Sequence, residues 1–126
     1  MKVRRALPLF ALIGLFALAA SAAAPNFVGT WIGKTEVPDQ GVDDLTLVIV
    51  KTSSGFEGTC QDAMGMIAPE TKITNAKVDG SAMTFNFVLS DGTTLVGILK
   101  IDGDKMTGQW DHPDGESAPW TFERKK

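Results

Sequence analysis

Few side chains in this sequence could do chemistry, and each stands nearly alone. Cys60 is the single cysteine and His112 the single histidine, far apart in the chain. A Cys–His nucleophile needs the two groups within hydrogen-bond reach, and no motif links these. Cys60 shares its parity with Phe56 and Gly58, which predicts an inward-facing strand position where a free thiol acts as a small apolar residue. A reactive thiol or an intermolecular disulfide is the functional alternative. His112 stands in Trp110-Asp111-His112-Pro113-Asp114-Gly115-Glu116. A structural metal site takes three or four ligands at defined spacing. One histidine among a few carboxylates does not supply them, and Pro113 and Gly115 predict a hairpin loop. Asp39, Asp43 and Asp44 form one acidic cluster, and Asp102 with Asp104 a second. Calcium asks for oxygens at regular spacing along a loop, so both clusters read as solvated turns. No Gly-rich phosphate loop, Gly-x-Ser-x-Gly elbow or His-Glu-x-x-His occurs. No catalytic set, metal site or cofactor is expected.

The most unusual stretch is Ala63-Met64-Gly65-Met66-Ile67-Ala68-Pro69. Loops run over the surface and are normally polar, so an apolar one must cover something or be covered. Methionine offers a flexible, polarizable surface. Met64, Met66 and Ile67 are therefore candidates for a mouth flap or a partner-contact patch. The competing reading is a plug that caps one end of the core, and an exported monomer gives that reading some preference, because an exposed Met-Gly-Met-Ile run invites aggregation.

These residues need a scaffold, and length allows one domain. The chain has 126 residues, with 12 Lys+Arg against 15 Asp+Glu. Its start combines Lys2, Arg4 and Arg5, an apolar run from Ala6 to Ala20 and small residues after it, the layout of a secretory signal. Ala20-Ser21-Ala22 and Ala22-Ala23-Ala24 both suit a signal peptidase, and cleavage after Ala22 is favoured because a cut after Ala24 places Pro25 just beyond it. Residues 1–22 are thus expected to be a cleaved signal and residues 26–126 the domain. An uncleaved anchor would need about 20 apolar residues, and Pro8, Gly14 and the Ala-rich end argue against it. Without the signal, 9 basic residues face 15 acidic ones, a poor balance for nucleic acid or an anionic membrane. An exported protein, periplasmic or extracellular and without a stable membrane anchor, is expected.

Beyond Asn26, short β-rich runs alternate with turn clusters. Strands are predicted over Phe27–Val37, Leu45–Thr52, Phe56–Gln61, Lys72–Asp79, Ala82–Leu89, Thr94–Ile101, Lys105–Asp111 and Pro119–Arg124. Asp79-Gly80, Asp91-Gly92 and Asp102-Gly103 supply the positive φ of tight turns. Short links join antiparallel neighbours, and a meander of this length hides its edges best by closing. The expected fold is all-β: a single antiparallel up-and-down β-barrel of about eight strands. Alternation places Phe85, Phe87 and Leu99 inside, with Trp110 on the face of Met106 and Gly108. Those four are the candidate pocket lining. Glycines beside large apolar residues, at 29, 58, 97 and 108, predict sharp bends or room for a ring.

Phe27-Val28-Gly29-Thr30-Trp31-Ile32-Gly33 opens the domain and Trp120-Thr121-Phe122-Glu123-Arg124 closes it. Together with Asp102–Trp110 they resemble the small lipocalin-like (calycin) barrels. The resemblance implies that Gly29 and Trp31 lie on the first strand and that Arg124, on the last, packs across the indole. A guanidinium over an indole is worth about 0.5–2 kcal/mol, a structural role. The strand order is also similar to a β-module found beside some bacterial secreted serine hydrolases. The Gly29–Gly33 motif followed by Pro38 resembles the opening of nitrobindin-type haem barrels too, which implies His112 as a remote haem-ligand candidate. The function expected is non-enzymatic binding of a small apolar ligand, or else contact with a protein partner, as in an inhibitor, through loop 63–69.

Overall fold

A computed structural model describes residues 25–126 of the chain. The predicted signal, residues 1–22, lies outside the described residues. The described chain forms eight strands: β1 (Gly29–Val37), β2 (Gly41–Thr52), β3 (Gly55–Asp62), β4 (Thr74–Asp79), β5 (Ala82–Val88), β6 (Thr94–Asp102), β7 (Lys105–Asp111) and β8 (Ser117–Arg124). All eight predicted strands are present, with ends shifted. β2 starts four residues early because Asp39 takes a left-handed φ of 64°. That tightens the turn and lets Gly41 pair with Val37. The fourth strand starts two residues late, at Thr74, and carries a register shift before Lys77.

The sheet order is β3-β2-β1-β8-β7-β6-β5-β4, every pair antiparallel. The meander therefore curls into a nearly closed barrel in which the first strand meets the last. Period-two burial produces the curl's interior. Trp31, Gly33 and Thr35 face inward from β1, and Leu45, Leu47 and Ile49 from β2. Aromatic rings fill the middle, with Phe87 and Trp120 stacked at 5.5 Å and Trp120 edge-on to Phe122 at 5.3 Å. Gly97 makes room for them, since a Cβ there would come within 2.9 Å of both Trp120 and Phe85. Gly58 and Gly108 sit instead where a Cβ would collide with the neighbouring strand's backbone.

The lower end is closed by Trp31 and Arg124, which stand opposite each other across β1 and β8. The guanidinium lies 4.3 Å from the indole centroid. It donates to the carbonyls of Val28 and Asn26 and to the Asp104 carboxylate. The indole N–H donates to Phe27 O at 2.9 Å. Gly29 passes beneath, where a Cβ would meet Arg124 Nη1 at 2.9 Å. One arginine thus ties the entering chain, the last strand and the β6–β7 turn together. Arg124→Ala is expected to lower stability by about 1–2 kcal/mol, through the lost ring contact and lost packing of its stem, since water can reach the two exposed carbonyls. Asp104→Asn, which removes only an exposed ion pair, should cost about 0.5 kcal/mol or less. Urea midpoints of the two variants check both values.

Candidate functional site

The upper end is held open and shaped by one connection, residues 63–73. β3 and β4 share no ladder, and their seam carries only the bridge from Thr59 to Lys72 and bonds from Cys60 N to Thr71 O and Ile73 N to Gly58 O, each 3.0 Å. Above that seam the Met-rich stretch crosses from β3 to the end of β5 as a strap. The Asp62 carboxylate at the tip of β3 accepts the N–H groups of Met66 and Ile67, at 2.8 and 3.1 Å. On the far side, Ala68 N donates to Val88 O, Ser90 N to Met66 O, and Ile67 bridges to Leu89. Ile67 is 6% exposed and Met64 is 39% exposed. The stretch is thus neither a loose flap nor a plug through its whole length. Its inner side is wall and its outer side is surface.

Beneath the strap lies Asp43. Sequence reading put it in a solvated turn, and this is corrected: it is 2% exposed. The reason is parity, since Asp43 precedes Leu45, Leu47 and Ile49 on the inward face of β2. Its Oδ1 accepts Met64 N–H at 2.9 Å. Burial, the shared hydrogen bond with Asp62 and that neighbour's negative charge raise its pKa from 3.8 to about 6. Asp43 therefore keeps its proton to a higher pH than an ordinary carboxyl. Cys60, next to this pair on the inward face, has its thiol pushed up to about 12 by burial and by the same carboxylates. It is free and buried, an inert core residue.

Between strap, β1–β2 turn and β7–β8 turn is a cavity of about 240 Å³. Its apolar wall includes Leu45, Met66, Ile67, Phe87, Leu95 and Trp110. Thr35 and Asp43 contribute buried polar atoms, and Asp91, His112 and Glu116 stand at the rim. Both indole donors are already engaged: Trp110 Nε1 donates to Thr35 Oγ1 at 2.8 Å and Trp120 Nε1 to Ile98 O at 3.1 Å. Thr35 Oγ1 in turn donates to Pro119 O. The His112 loop is held by its own bonds, His112 N to Glu116 O and Asp114 N to His112 Nδ1.

Of the residues singled out in the sequence, Met66, Ile67, Phe87 and Trp110 meet at this cavity. Phe85 and Leu99 do not line it. They point inward as predicted, but from lower positions, and are packed solid in the core. Met64 lies on the strap's outer side. Thr35, Leu45 and Leu95 escaped the sequence reading although all three continue a visible alternation.

No family model matches the chain, and no curated relative matches its sequence. Solved structures do match its shape. A de novo designed fluorescence-activating β-barrel superposes with a TM-score of 0.57 at 21% identity, covering 79% of this chain and 94% of that one. A point mutant of the fluorescent protein UnaG superposes with a TM-score of 0.51 at 16% identity, covering 79% and 96%. These likenesses are of fold alone, that of an antiparallel β-barrel.

The carboxyl pair makes a pH prediction. Asp43 binds its proton more tightly folded than unfolded, so its contribution to stability is complete below about pH 4 and lost as pH rises through about 6. Asp43→Asn keeps an acceptor for Met64 N–H and a permanent donor for Asp62. Melting temperatures across this range should fall with rising pH in the wild type and stay nearly flat in the variant.

Proposed function

We propose that this protein is a non-enzymatic binding barrel that takes one compact, largely apolar small molecule at its open end. The observation that carries the reading is the cavity itself, about 240 Å³ between Phe87, Leu95, Trp110 and the underside of the strap. An apolar cavity of roughly 150 Å³ holds benzene, so this one suits a ring with a short substituent or a pair of fused rings. It lies below the roughly 300–1,000 Å³ of drug-sized sites, so a macrocycle as large as haem does not fit around His112. The strap's inner apolar side chains serve the cavity wall, which favours ligand binding over a contact surface for a protein. The designed fluorescence-activating barrel shares the fold, which makes the architecture a reasonable host for such a molecule. The basic–apolar–small start of the sequence supports action outside the cytoplasm, with a mature N-terminus at Ala23 or Pro25. The intact mass of the exported protein checks that start, and retention of residues 1–22 in a membrane fraction would refute it.

2-Naphthol, neutral and fluorescent, tests the site. Saturable one-to-one binding is expected, with a Kd on the order of micromolar to sub-millimolar for a ligand of this size. Met66→Trp places a larger side chain on the cavity wall from the strap and should abolish binding with the circular dichroism unchanged. Non-saturable uptake, or unaltered binding by that variant, would contradict the proposal.

A further inference from the structure

Charge along the barrel axis is strongly divided. The four segments that form the open end, residues 36–44, 61–71, 88–96 and 110–118, hold ten of the fifteen acidic residues and none of the Lys or Arg. The remainder of the described chain holds five acidic and nine basic residues. Of these, Lys34 stands opposite Asp44 with its side chain on the outward face of β1, and Lys72 sits on the seam opposite Thr59. Among the described residues of the mouth, His112 is the only basic side chain. A field of one sign around a low-dielectric cleft concentrates ligands of the opposite sign.

The hydrogen-bonding groups inside the cavity have the same bias. Thr35 is 7% exposed. Its hydroxyl donates to Pro119 O and accepts from Trp110, which leaves one acceptor lone pair and no donor. The Trp110 and Trp120 N–H groups are spent within the protein. Asp91 and Glu116 place two exposed carboxylates on the rim of the same cavity. A ligand carboxylate entering here would lose water and meet no cation, an unfavourable burial. An ammonium group would meet the Asp91 and Glu116 carboxylates at the rim, beside Gln40 and His112, which can accept as well as donate, while the ring stays against Phe87 and Trp110, whose faces also attract cations.

We infer that the ligand is an amine: a compact aromatic or apolar body carrying a protonated amino group that sits at the acidic rim. This rests on the ligand-site reading above and adds to it the sign of the ligand's charge. Three probes share a phenyl ring and a short chain: 2-phenylethylamine, 2-phenylethanol and 3-phenylpropanoate. Calorimetric titration of the protein at neutral pH and low salt should rank amine over alcohol over carboxylate. The amine's advantage over the alcohol should be roughly tenfold or more and should shrink as salt screens the rim. The double variant Asp91→Asn, Glu116→Gln changes only exposed side chains, and it should narrow the amine-to-alcohol ratio. Alcohol or carboxylate binding as tightly as the amine would overturn the inference while leaving the site intact. An amine preference that the double variant does not reduce would also overturn it. Binding of none of the three would overturn both this inference and the site itself.

Discussion

An open antiparallel sheet of eight strands leaves two edges of unpaired N–H and C=O groups, and in this barrel those edges belong to β3 and β4. The geometry of the upper end follows from how that seam is bridged. Short backbone contacts through residues 71–73 join its middle. Above them, the Asp62 carboxylate holds two strap amides while the strap's other end is sewn to Val88 and Ser90. The upper part of an edge that would otherwise invite pairing with another chain is thereby covered. The same crossing delivers Met66 and Ile67 to the inside, so one connection both bridges the seam and builds a cavity wall.

The two ends of the barrel solve opposite problems. At the lower end, Trp31 and Arg124 close the barrel, and the guanidinium satisfies carbonyls of the entering chain. The aromatic stack of Phe85, Phe87 and Trp120 fills the middle. Space is left above it, where inward positions are taken by Thr35 and Asp43 rather than by large rings. A buried carboxyl is costly unless it is bonded or neutral, and Asp43 is bonded to the strap, with its pKa raised by burial to about 6. Polar groups near the mouth thus replace core volume with a site that accepts hydrogen bonds.

Much of the fold was legible in the sequence because period-two alternation and Asp-Gly turns act locally. The eight strands, the inward parity of Trp31, Phe85 and Leu99, and the meeting of first and last strands followed from them and from the Gly-x-Trp and terminal Arg motifs. The cavity lining was legible in part. Phe87 and Trp110 were found by parity, but parity says nothing of height along the axis, so Phe85 and Leu99 were grouped with them. Asp43 was misread because an acidic residue beside a turn is usually solvated, although its spacing to Leu45 marked it as inward. Its partners, Asp62 and the Met64 amide, are distant in sequence and become visible only when the strap is in place. The charge division between the ends required the strand order, which assigns each turn to one end.

The central claim is that the cavity under the strap is a ligand site, and the three tryptophans provide an internal control. Trp110 and Trp120 line the cavity, whereas Trp31 closes the opposite end. Indole N–H resonances followed by ¹H–¹⁵N NMR during titration with a ring-bearing amine test this directly. The account predicts saturable shifts for Trp110 and Trp120 with Trp31 unmoved. Shifts at Trp31 of equal size, or no shift at Trp110, would contradict it.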